Sequence, residues 1–150
     1  MKKILILLLS LILLVGCSKN ETKKEIKETN NQEEIIEKKD NMLKITINNK
    51  EYDINLENNK TVDALIELLP LDLTMEELNG NEKYIYLDTT LPTNPIKQNK
   101  INAGDVMLYG NNCLVIFYKS FNTTYSYTKI GHINNLADLG SNNITVNITN

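Results

Sequence analysis

The chain has 150 residues and a net charge of −3, room for a leader and one domain of about 100 residues with a real core. Sixteen basic against nineteen acidic residues leave no basic surface for nucleic acid. Arginine and tryptophan are absent and His132 is the sole histidine, which removes the planar guanidinium that grips anions bidentately and any histidine cluster for a metal.

The first element is a leader. Lys2 and Lys3 precede an apolar run over residues 4–15, broken only by Ser10, and the small Gly16 stands before Cys17. Such a run is too short to cross a bilayer and has the layout of a signal-peptide core. The stretch Leu14-Val15-Gly16-Cys17 resembles the lipobox of bacterial lipoproteins. That resemblance implies removal of residues 1–16, a diacylglycerol on the Cys17 thiol and a further acyl chain such as palmitate on the new amino group. At about 0.8 kcal/mol per buried CH₂, several chains anchor a protein permanently. The expected location is the extracytoplasmic face of a cell membrane, and Ser18 after the cysteine permits an outer membrane where the cell has one. Residues 17–41 then form a tether of Lys, Glu, Asn and Thr, with Ile26, Ile35 and Ile36 as its few apolar side chains. It buries too little to order itself and serves to hold the domain off the membrane.

The domain occupies residues 42–150. Leu43, Ile45 and Ile47 alternate with polar residues, Asn48-Asn49 marks a turn, and Tyr52, Ile54 and Leu56 alternate again, predicting a β-hairpin. Thr61 is the expected N-cap of a helix carrying Val62, Leu65, Ile66 and Leu69 on one face, ended by Pro70. Thr74-Met75-Glu76-Glu77 has capping-box spacing and predicts a short helical turn. Strands are expected over residues 83–87, 105–109, 113–119, 124–130 and 144–148, with another short helical piece over 136–139. This is a mainly β domain, a barrel or sandwich with one main helix and short helical turns.

Chemistry-bearing patterns are few. There is no glycine-rich phosphate loop, no nucleophile elbow and no acidic calcium loop, so no cofactor or metal is expected. Cys113 lies in the apolar run CLVIFY, where a cysteine acts as a small hydrophobe rather than as a thiolate. Ser126, His132 and Asp105 or Asp138 have the residue types of a hydrolase triad, but nothing in their spacing sets them apart from chance. The tyrosines are more informative. Tyr84 and Tyr86 share one strand face, Tyr125 and Tyr127 share another, and Tyr109 ends a third strand. A large apolar ring with a polar tip suits either a recognition surface or the closure of a barrel end. Together with Asp105 and Ser126 these five tyrosines make the candidate binding surface.

The blocks LNGNEKYIYL (78–87), LPTN (91–94), AGDVMLYG (103–110) and FYKSFNTTYSYTKIG (117–131) resemble the bacterial cyclophilin-like domain family in order and spacing. The resemblance implies a closed β-barrel of about eight strands flanked by helices, without implying a reaction. Cyclophilins proper isomerise prolyl bonds with an arginine and a pocket of aromatic residues. This chain has no arginine, and its phenylalanines are Phe117 and Phe121 alone. Lys119 or Lys129 would have to serve, and a lysine lacks the planar donor geometry. The leading expectation is therefore a monomeric, membrane-tethered module that binds a small ligand, peptide or protein without catalysis. A diverged prolyl isomerase assisting exported proteins and an accessory domain docking on a protein partner are the alternatives.

Overall fold

The computed structural model describes residues 42–149, and the expected leader, Cys17 and tether lie outside the described residues. The chain first forms β1 (Met42–Ile47) and β2 (Lys50–Leu56), paired in the register Ile47↔Lys50 that leaves a two-residue turn. That turn needs positive φ at both central positions, and Asn48 and Asn49 supply it at 46° and 67°. Asn48 also ties the turn to a distant strand, since its Oδ1 accepts from Thr145 N at 3.0 Å.

Helix α1 (Lys60–Ile66) follows, capped by Asn59, whose side chain accepts from Val62 N at 3.0 Å. The cap is thus two residues earlier than Thr61, which is buried in the helix and donates its hydroxyl to Pro92 O at 2.7 Å. The helix also ends before Pro70, with Glu67 as its C-cap.

The chain continues through β3 (Leu71–Leu78), β4 (Glu82–Tyr86), β5 (Ile96–Lys97), β6 (Lys100–Ile101), β7 (Asp105–Tyr109), β8 (Cys113–Phe117), β9 (Phe121–Asn122), β10 (Ser126–Ile133) and β11 (Ile144–Thr149). The helical turn expected at Thr74–Glu77 is part of β3. Leu71, Leu73 and Met75 alternate there, and pairing with β11 on one side and β4 on the other outweighs a local capping pattern. Residues 136–139 are likewise not helical. They follow a turn in which Asn135 adopts a φ of 53° and are tied by Asp138 Oδ1, which accepts from Gly140 N at 2.9 Å.

Eight strands run in the order β2-β1-β11-β3-β4-β8-β7-β10, and β10 pairs back onto β2 through Gly131↔Leu56 and Ile133↔Ile54. This closes an antiparallel barrel with no free edge between β10 and β2, and β5 pairs onto the start of β10 outside the ring. Each of the eight strands sends apolar residues into the interior cluster, and α1 adds Val62 and Leu65 to it. β8 is buried at every position because it is covered twice. Leu114 and Ile116 point into the barrel, whereas Cys113, Val115 and Phe117 join a second cluster on its outer face. Ile101 of β6 and Phe121 of β9, paired as a two-stranded ribbon, cover one end of that outer cluster. Its other end stays open.

Candidate functional site

The open end is built by register. Tyr86 of β4 stands opposite Cys113 of β8, and Cys113 opposite Tyr109 of β7, so one row crosses three strands. The next row places Tyr84 opposite Val115. Strands lie about 4.8 Å apart, so β4 and β7 stand roughly 10 Å from each other with β8 as the floor between them. Tyr84 and Tyr86 form one wall with their rings edge-on at 5.9 Å. Tyr109, Tyr125 and Tyr127 form the other, Tyr109 meeting Tyr127 at 5.5 Å and Tyr125 at 6.2 Å. Between the walls is a cavity of about 310 Å³.

The five tyrosines of the expected surface thus line one cup. Tyr86 and Tyr125 stand at its rim, 63% and 61% exposed, while Tyr127 is buried against Phe117, ring edge to face at 5.5 Å. Burial, with the charge of Glu82 behind it, pushes the Tyr127 hydroxyl up to about 12. The Tyr84 hydroxyl donates to Glu76 Oε2 at 2.9 Å, and that bond pushes its pKa up.

Asp105 and Ser126 stand apart from the cup. Asp105, at the opposite end of β7 from Tyr109, receives Asn102 N at 2.8 Å and pairs with His132 Nδ1 at 3.0 Å. Ser126 lies between Tyr125 and Tyr127, so strand alternation turns it to the other face, where its residue pairs with Lys97 of β5. It sits six positions from His132 on the same strand, roughly 20 Å at 3.3 Å per residue, so no triad assembles. Lys119 is drawn to Asp138 and lies over the Tyr118 ring at 5.3 Å, and neither it nor Lys129 lines the cup. Among the described residues no group of three or more His, Cys, Asp or Glu side chains is placed to hold a metal ion.

The residue that sequence reading missed is Glu82. It shares a strand face with Tyr84 and Tyr86, sits opposite Phe117 and lines the cup at only 9% exposure. Its signal was the period-two pattern Glu-x-Tyr-x-Tyr, in which the carboxylate follows the same alternation as the rings. Burial pushes its pKa up, a side-chain hydrogen bond from Asn79 offsets part of this, and the neighbouring charge of Glu77 adds to it. Cys113 in the floor is also pushed up, by burial and then by Glu82, so it is held as a thiol.

This barrel, with its outer-face cluster and helix cap, can be set beside known proteins. A sequence model of the cyclophilin-like family matches residues 45–149, from the middle of β1 to the end of β11. The chain belongs to the cyclophilin-like family. No curated protein and no solved structure matches it. Membership accounts for the closed barrel and leaves the chemistry of the cup to be argued from its own residues.

Proposed function

We propose that this protein is a lipid-anchored binding module, held at the extracytoplasmic face of a membrane through Cys17 and recognising its ligand in the tyrosine cup. The observation that carries the reading is the cup itself. A concavity of about 310 Å³ walled by five rings falls in the size range of small-molecule sites, with polar tips placed to orient a ligand. The lining is what supports a reading of binding without turnover. The chain holds no arginine, the Cys113 thiol is kept protonated by burial, and the one histidine is engaged with Asp105 away from the cup.

Anchoring rests on the lipobox resemblance and is tested separately. In cells expressing the full chain, Cys17→Ala should yield an unprocessed precursor without lipid, seen by mass spectrometry and by loss of detergent-phase partitioning. A mutant that is still processed and lipid-bearing would remove the anchor from the reading. For the cup, the purified full chain should release a stoichiometric ligand on denaturation, and Tyr125→Ala should lower its occupancy. Equal occupancy in that variant would place recognition elsewhere on the barrel.

A further inference from the structure

We propose that the cup is selective for an alkylated ammonium cation, a trimethylammonium group being the type that fits. This rests on the binding-module reading and names its ligand class. Five tyrosine rings line one cavity, and a cation within about 6 Å of a ring centroid is attracted by each electron-rich face it meets. At the base of these walls Glu82 is a carboxylate with a neutral hydrogen-bond partner, Asn79, and among the described residues no lysine or histidine lines the cavity to balance it. Among the described residues the nearest further charges are Glu76, at the Tyr84 hydroxyl, and Glu77, which is already neutralised by Lys83 on the inner face.

Other ligand classes fit less well. An anion would meet the Glu82 carboxylate and, among the described residues, no cationic donor in the lining. A neutral apolar ligand would fill the volume and dry the site while leaving Glu82 without a counter-charge, which is costly. A bare metal ion needs several oxygen ligands, and only one carboxylate lines the cup. Methyl groups on the nitrogen supply apolar contact for the rings and weaken its hydration, so the cation enters with little loss.

A free choline-like molecule and the head group of a choline lipid share this chemistry. The test therefore uses choline, glycerophosphocholine and the uncharged carbon isostere of choline, in which a tert-butyl group replaces trimethylammonium. They are titrated into the full chain in a neutral sugar detergent. With no tryptophan present the emission is that of tyrosine, and five of the seven tyrosines line the cup. Choline or glycerophosphocholine should change the emission saturably, with the isostere at least tenfold weaker. The tighter of the two cations identifies the source as free molecule or head group.

Glu82→Gln should weaken the cation at least tenfold and leave the isostere unchanged, with an unaltered circular dichroism spectrum. Tyr125→Leu, at an exposed position where folding is not at risk, should weaken the cation more than the isostere. An isostere that binds as tightly as choline overturns the cation assignment and leaves the binding module standing, as does choline affinity indifferent to Glu82→Gln. If none of the three probes changes the emission, the cation assignment falls. Release of a different ligand on denaturation, sensitive to Tyr125→Ala, would then keep the binding module, and its absence would end that reading as well.

Discussion

Glu82 and Lys83 are consecutive residues of β4, and both are nearly or wholly buried, yet the two faces of that strand treat charge in opposite ways. Lys83 points inward and is fully enclosed. Its ammonium donates to Glu77, to Gly140 O at 2.6 Å and to Asn142 O at 2.7 Å, and lies over the Tyr118 ring at 5.0 Å. Glu77 in turn accepts from the Tyr118 hydroxyl at 2.9 Å and from Gly80 N at 2.6 Å. Burial would push the Glu77 carboxyl up, but the bonds from Lys83, Tyr118 and Gly80 together outweigh it and hold it below its ordinary value. The Tyr118 hydroxyl is pushed up to about 12 by burial and by that same carboxylate. Every charge inside this knot has its opposite. Outside, one strand thickness away, Glu82 has an amide for company and an open cup. An ionic network is closed on one face and open on the other, and under the proposed reading the missing partner comes from solution.

The largest expected effect lies on the closed face. Lys83→Met keeps the length and apolar stem but strands Glu77 and two carbonyls without a cation. Removing one partner of a buried pair costs about 3 kcal/mol or more, which for a domain of this size lowers the Tm by about 10 °C or more. Chemical denaturation of wild type and variant measures it. A loss under about 1 kcal/mol would show that the knot is ornamental to stability and would weaken the contrast with Glu82.

The barrel was legible because its strands alternate. Ile45, Ile47, Ile54, Val146 and Ile148 repeat every second residue and all enter the interior cluster. β3 was harder to read, since its inward positions end in Glu77 rather than in another apolar residue, and a capping pattern covered the alternation. Its partners β11 and β4 lie far along and just ahead in the chain, and pairing between distant segments leaves no local mark. The tyrosine walls were legible from strand faces alone. Glu82 was not, because a glutamate beside a lysine reads as surface until β8 sets Phe117 opposite it and the cup forms around it. Asp105 and Ser126 drew attention by residue type, and their places are settled by the Asn102 turn and by strand parity.

A smaller effect separates the two carboxylates by pH. The Glu82 pKa is raised above 4.5, so its contribution to stability is fully present below that value and is lost as pH rises through the folded pKa. Glu77 is lowered, so its contribution is present above 4.5 and lost as pH falls through the folded pKa. The groups facing Glu82 are Asn79 and Glu77 on the β3 side, Cys113 on β8 and Tyr127 on β10, none of them positive. Glu82→Gln should therefore match wild type near pH 4 and exceed its Tm by a few degrees near pH 7, since only the wild type then holds a buried charge. Melting curves across that range check it. A variant less stable than wild type at neutral pH would mean that the Glu82 charge already has a partner, and the open face would prove closed.

The smallest expected effect is in catalysis, where the cup should accelerate prolyl isomerisation less than tenfold. The uncatalysed step crosses a barrier of about 18–20 kcal/mol and takes tens of seconds, so even a weak catalyst is readily seen. Each tenfold requires about 1.4 kcal/mol of stabilisation that is specific to the twisted amide. Such stabilisation calls for a charged or strongly polarised donor aimed at the bond in a dry pocket. The buried cation of β4, Lys83, faces the wrong way and is locked by Glu77 and two carbonyls, while Lys119 is held at Asp138. What remains in the cup is a carboxylate with the Asn79 amide beside it, the Cys113 thiol and tyrosine hydroxyls, of which that of Tyr84 already donates to Glu76. A protease-coupled assay on Xaa-Pro peptides, with Tyr125→Ala as control, decides the point. Acceleration of a hundredfold or more that this variant abolishes would show that the open face performs chemistry, and the contrast between the two faces of β4 would become one between a structural charge and a catalytic one.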